Sequence, residues 1–200
     1  MQWLFSQKTI VISMSNAPTY TNCSIKDEKI FLNEELVFEM QNESFPKFIK
    51  TAYKRLNNSY PKFHKMDRLC KLAYVTCSYL LEQVDLSVAK PEEIAMVFSN
   101  RHSTYHTDAK HAGSIKEKDN YFPSPNVFVY TLPNILIGEL CIKYNIQGES
   151  VFFIHDDVDK DMLMDYGNAL IQSGDAKICI CGWCDYIEDA YLSEIFIINL

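Results

Sequence analysis

An α/β chain, built on a mixed, mostly parallel sheet of about five strands with helices on both faces, is what this 200-residue sequence predicts. Three observations carry the prediction. Apolar runs of strand length recur at 9–14 (TIVISM), 94–98 (IAMVF), 151–154 (VFFI), 176–181 (AKICIC) and 193–200 (SEIFIINL). Segments of helical period lie between the middle runs. Residues 124–185 read as helix, turn, strand, tight corner, helix, turn and strand, the pattern that makes right-handed crossovers between parallel strands.

Taken in order, residues 9–14 open the chain as a buried strand. Residues 16–35 are polar and irregular, and predict loop and edge structure with a β-prone piece at 30–32. Ser44 stands at the cap of a helix in which Phe45, Phe48, Ile49, Ala52, Tyr53 and Leu56 share a face, and NNSYP at 57–61 ends it. Met66, Leu69, Cys70, Ala73, Cys77, Leu80 and Leu81 form the stripe of the next helix. Leu72 and Val75 lie off the stripe, which predicts burial on more than one side. Residues 99–119 are polar, carry three histidines and predict a loop with a helical piece. YFPSP at 121–125 leads into the long α/β stretch, where Pro133-Asn134 break one helix, Gly148 turns the chain, and Gly174-Asp175 close the last helix. With no repeat, linker or low-complexity segment, one domain spanning 1–200 is expected.

The 48% hydrophobic and 13% aromatic content is that of a folded chain. A net charge of −7 argues against nucleic acid or an anionic membrane as the main partner. The opening residues lack a charged segment followed by a long apolar run, and no apolar run approaches the roughly 20 residues that span a bilayer. Seven cysteines, mostly in apolar periodic segments, suit a reduced, cytoplasmic protein.

The corner between the strand at 151–154 and the helix after it is where α/β enzymes often mount a nucleophile. Here it offers His155, Asp156, Asp157 and Asp159 only. His155 beside Asp156 and Asp157 is an acid/base candidate without a nucleophile. Asp157-x-Asp159-x-Asp161 begins like a calcium loop, but Met162 and Asn168 stand where that loop needs Gly and a bidentate Glu. Cys181-Gly-Trp-Cys184, with Cys179, has no second pair to complete a zinc site and follows the exit of a strand, whereas a redox pair belongs at a strand-to-helix junction. His102 and His106 would share a helix face, yet no HExxH glutamate lies between them. No cofactor or metal is expected.

Pro133-Asn134, Gly138, Gly148, the strand to Ile154, Ser173-Gly174-Asp175-Ala176 and Gly182 together resemble the β-ketoacyl synthases, of the thiolase-like superfamily. MDRLCKLA at 66–73 is similar to that family's first long helix, and Phe122-Pro123 with Pro125 to the run before its Pro-Asn helix. The resemblance implies a thiolase-like N-terminal half-fold, of the short kind associated with aryl-polyene or flexirubin-type clusters. It also implies that His155-Asp156-Asp157-Val158-Asp159 replaces Thr-Ala-Cys-Ala-Ser, with Asp157 on the nucleophile. The second half of the family, which supplies two active-site histidines, has no counterpart in these residues.

Such a half leaves a helix layer to be covered, and the family's dimers extend their sheets. Phe152, Phe153, Met162, Leu163, Met164, Tyr166 and Ile171 are therefore the expected interface, in a homodimer or in a heterodimer with a true ketosynthase. The expected function is a non-catalytic subunit that pairs with a ketosynthase or an acyl carrier protein. An acidic carrier requires that Lys and Arg cluster locally. Two alternatives stand: an acyl-thioester hydrolase or decarboxylase using His155 and Asp157, and a structural homodimer without a thioester role.

Overall fold

The computed structural model describes residues 21–56, 59–116, 118–119 and 121–199. The strand expected at 9–14 lies outside them. Seven strands form one sheet in the order β3-β2-β1-β7-β6-β4-β5: β1 Thr21–Lys26, β2 Lys29–Leu32, β3 Glu35–Glu39, β4 Ile94–Asn100, β5 Ser150–Ile154, β6 Ile178–Ile187 and β7 Ala190–Asn199. The sheet is mixed as expected. It has seven strands rather than about five, and only β4–β5 and β4–β6 are parallel, the other four pairings being antiparallel.

The difference comes from hairpins whose turns lack glycine. The β-prone piece expected at 30–32 is β2, at the edge of the sheet as expected, but the segment is two full hairpins, whose turns Asp27-Glu28 and Asn33-Glu34 sit at φ of 49° and 57°, and 49° and 69°. These are left-handed turns whose twist matches that of paired strands. Glu188-Asp189, at 46° and 69°, do the same between β6 and β7. β6 therefore runs on to Ile187 instead of ending near Cys181.

Helices cover both faces. α1 (Phe45–Arg55), α2 (Arg68–Leu81) and α5 (Ile135–Tyr144) lie on one side, with α3 (Tyr105–Ile115) and the short α4 (Pro125–Val129) at its end. All six residues expected on the α1 face are buried, although Ser44 makes no side-chain cap bond. α2 packs on β1, β6 and β7 below and on α1 and α5 beside it, so Leu72 and Val75 are as buried as the main stripe. Asp67 caps it by accepting from Cys70 N at 2.8 Å.

Among the described residues, α6 (Lys160–Ser173) is the helix on the opposite face, across β4, β6 and β7. Its inward face is Leu163, Gly167, Leu170 and Ile171. Ala169 is exposed. Gly167 lets the helix settle onto the sheet: a Cβ there would lie 2.8 Å from Ile198 Cδ1 and 2.9 Å from Cys181 Sγ. Gly138 on α5 has open space around it. Gly138→Ala should raise stability by about 1 kcal/mol through helix propensity. Gly167→Ala should lower it, because overpacking costs about 1–3 kcal/mol. Paired urea titrations check the sign difference.

Candidate functional site

The corner is built at the carboxyl ends of the parallel strands. β4 lies between β5 and β6, and the Asn100 carbonyl at its end accepts from His155 N at 2.9 Å, fixing where β5 gives way to the corner. His155 Nδ1 lies 3.0 Å from the Asp157 carbonyl, and its Nε2 lies 3.8 Å from Asp159 Oδ2. Asp159 is committed to the helix: its Oδ1 accepts from Met162 N at 2.9 Å. His155, Asp156 and Asp157 all face solvent. An acid at a helix N-terminus is favoured by the dipole by about 0.3–1 kcal/mol when exposed, which accounts for these carboxylates without a reaction. Among the described residues, no three His, Cys, Asp or Glu side chains converge as metal ligands.

The other constellations separate in space. Cys181 and Cys184, three apart on β6, point to opposite faces. Cys181 meets Cys179 under α6, with sulfurs 3.4 Å apart, while Cys184 lies toward Leu69 of α2. The hydrogen bond with Cys179 and burial raise the Cys181 thiol, and burial raises that of Cys184, so neither favours a thiolate.

His102 and His106 do not share a helix face, because α3 begins only at Tyr105. His102 belongs to the loop after β4 and bonds to Asp185, an acid 83 residues away that no sequence pattern links to it. His106 packs edge-on against Tyr186, and burial, then the Arg68 guanidinium, lowers its pKa. His111 rests on Phe128.

The expected interface residues divide. Leu163 and Ile171 are 1% and 7% exposed and pack against the chain's own sheet. Phe152 leans on the α2-side core; Phe153, Met162, Met164 and Tyr166 lean, half-buried, on the α6-side core. Among the described residues β5 is an edge strand, whose last residue Ile154 is 55% exposed, followed by Val158 at 39%. A groove of 190 Å³ lies beside the first turn of α6, between Lys160, Trp183, Glu194, Ser24 and Glu34.

A basic surface was not foreseen. The 3-10 turn Pro61–Lys65 and the start of α2 carry Lys62, His64, Lys65, Arg68 and Lys71 within residues 61–71, with Asp67 the one acid of that stretch. Lys62 pairs with buried Glu139 at 2.9 Å, and Arg68 holds Asp189 at 2.5 Å. The signal was in the sequence, as PKFHKMDRLCK, but it is short enough to vanish in the net charge of −7.

Asp159→Ala should destabilise the chain by about 1 kcal/mol through loss of the cap. Asp157→Ala should stay within about 0.5 kcal/mol, as an exposed substitution does. Chemical denaturation distinguishes the structural acid from the spare one.

No protein-family model matches the sequence, and no curated protein resembles it in sequence. Solved structures do resemble it in fold. The ishigamide ketosynthase/chain length factor superposes with a TM-score of 0.64 at 13% identity, over 90% of this chain and 61% of that one. A type II PKS acyl-carrier protein in complex with its ketosynthase, AntDE:AntF, gives 0.61 at 13%, over 90% and 61%. A β-ketoacyl synthase from Burkholderia phymatum STM815 gives 0.64 at 8%, over 92% and 60%. The chain thus spans about three fifths of each of these proteins. Its architecture is the ketosynthase-like, thiolase-type fold.

Proposed function

We propose that this chain is a ketosynthase-like subunit without condensing chemistry, which pairs through β5 with an active β-ketoacyl synthase and receives an acyl carrier protein on its basic surface. The observation that carries the pairing is the contrast between the two sheet edges. β3 (ELVFE) bears glutamate at each end, and its pairing with β2 is broken by a bulge between Ile30 and Phe31, two devices that blunt an edge. β5 (SVFFI) has no charge and no proline, and pairs with β4 in unbroken register. Glu149 O and His155 N turn toward β4, so by strand alternation the main-chain groups of Ser150, Phe152 and Ile154 turn to the open side. An edge of this kind is a template for another strand.

The loss of condensing chemistry rests on the corner: a carboxylate, Asp157, where the resemblance places the thiol, and no neighbour able to attack a thioester in its stead. The carrier arm rests on Lys62, Lys65, Arg68 and Lys71, the local cluster that an acidic partner requires. The protein structures of similar fold named ketosynthase/chain length factor and acyl-carrier protein with ketosynthase support the choice of partners.

Native mass spectrometry with a co-encoded ketosynthase and a carrier protein tests both arms. The chain should form a complex with the synthase, and Ile154→Asp should weaken it at least tenfold, about 1.4 kcal/mol. Lys65→Glu should weaken carrier binding and flatten its salt dependence while leaving the synthase complex intact. A chain that binds neither partner at micromolar concentration would falsify the subunit reading, and a self-paired chain would replace it with the homodimer.

A further inference from the structure

The best-oriented imidazole of the molecule is not in the corner. Asp185 of β6 grips His102 twice: one carboxylate oxygen accepts the His102 backbone N–H at 3.0 Å, and the other lies 2.6 Å from ring Nδ1. A carboxylate can only accept, so Nδ1 carries a proton, and in the neutral ring Nε2 is the basic nitrogen. The ring is 30% exposed and its carboxylate 13%, which leaves the imidazole reachable and its orienting partner sheltered. The loop is held as firmly as the ring: the Asn100 side chain donates to the Ser103 carbonyl and accepts from Ser103 N, at 3.0 and 2.9 Å. This places a directed base at the carboxyl ends of parallel strands, where open α/β sheets bind their ligands.

An apolar platform adjoins it. Tyr105 N donates to the His102 carbonyl, and Thr104 Oγ1 donates to the Thr131 carbonyl at 2.9 Å, drawing the chain after α4 against this loop. Tyr105, Phe128, Val129 and Leu132 expose between 45% and 56% of their surfaces here, unusual for large apolar side chains so close together.

We propose that His102, positioned by Asp185, is a general base for hydrolysis of activated esters or thioesters whose apolar acyl chain rests on the α3–α4 surface. Nε2 takes a proton from water as the water oxygen bonds to the acyl carbon. The tetrahedral intermediate then expels the alkoxide or thiolate, and the imidazolium returns its proton to that leaving group. The products are the acid and the alcohol or thiol, with no co-reactant but water. His102 is the catalytic residue in this scheme and Asp185 a positioning residue.

The probe is p-nitrophenyl hexanoate, with hexanoyl-N-acetylcysteamine as the thioester. Wild type should exceed the buffer rate, and His102→Gln should lose roughly 10- to 100-fold in kcat/KM, in the range expected of a positioned base. Asp185→Asn should lower kcat with KM unchanged, because an amide donor facing Nδ1 moves the ring proton to Nε2; a purely structural role would instead change the melting temperature and leave the pH profile alone. Tyr105→Ala should raise KM and spare kcat, which keeps the idea testable if either dyad variant folds poorly. Equal rates for wild type and His102→Gln, or a loss that follows His155→Gln instead, would overturn the assignment. Either result is independent of whether the chain binds a synthase.

Discussion

The His155 corner and the His102 loop both hang on β4. All seven of its residues are buried, it is hydrogen-bonded on both sides, and both its faces are covered, by the α2-side core and by α6. Its ends dictate the chain around it. At the amino end the Pro91 carbonyl accepts from Gln147 and Gly148, and the Glu93 carbonyl accepts from Lys177, tying the starts of β5 and β6 to one point. Gly148 is required there, since a Cβ would stand 2.4 Å from the Ile94 carbonyl oxygen. At the carboxyl end Asn100 fixes the His155 corner through its carbonyl and the His102 loop through its side chain. One rigid strand thus sets the relative position of two histidines that lie far apart in sequence.

The helices and central strands were legible because their signals are local. The α1 stripe, the two-sided burial of α2, and the sequence from Gly148 through the corner to Gly174 all follow from period and punctuation. The hairpins were not legible, because a left-handed turn built from Asp-Glu, Asn-Glu or Glu-Asp gives no glycine to announce it. Strand β6 was cut short for the same reason. At the corner the residues were found but their duties were not separable in sequence: Asp159 and Asp157 look alike until the cap bond to Met162 N sets them apart. The His102–Asp185 pair was invisible, since a contact across 83 residues leaves no spacing to read.

The α6 helix shows how misleading an apolar helix can be. Met162, Leu163, Met164, Tyr166 and Ile171 suggest a helix apolar on several sides. Once Gly167 is allowed to approach the sheet, Leu163, Leu170 and Ile171 become its inward face and the methionines its half-buried flanks. Its burial consumes the apolar surface that an interface on this helix would have needed. The Tyr166 hydroxyl, donating to Glu149 at 2.6 Å, then fastens the outer flank to the start of β5. A helix held on both sides in this way stabilises the strand next to it more than it advertises itself to a partner.

For the proposed partners, recognition then falls to the sheet edges and to charge. On the α6 side of β1 and β7, Asn22, Ser24 and Glu194 make the surface polar, while their neighbours Cys23, Ile25 and Ile195 are buried on the other side. The hairpins thus extend the sheet without asking for a second cover, and end it in a blunted strand. Among the described residues, β5 is the edge strand with unpaired main-chain groups and no charged side chain. An overall charge of −7 opposes the approach of like chains at long range, and the PKFHKMDRLCK stretch is a local exception to it. Long-range repulsion and short-range attraction can then act on different partners: another acidic protein is slowed everywhere except at the basic surface, whereas a strand partner needs only the geometry of one edge.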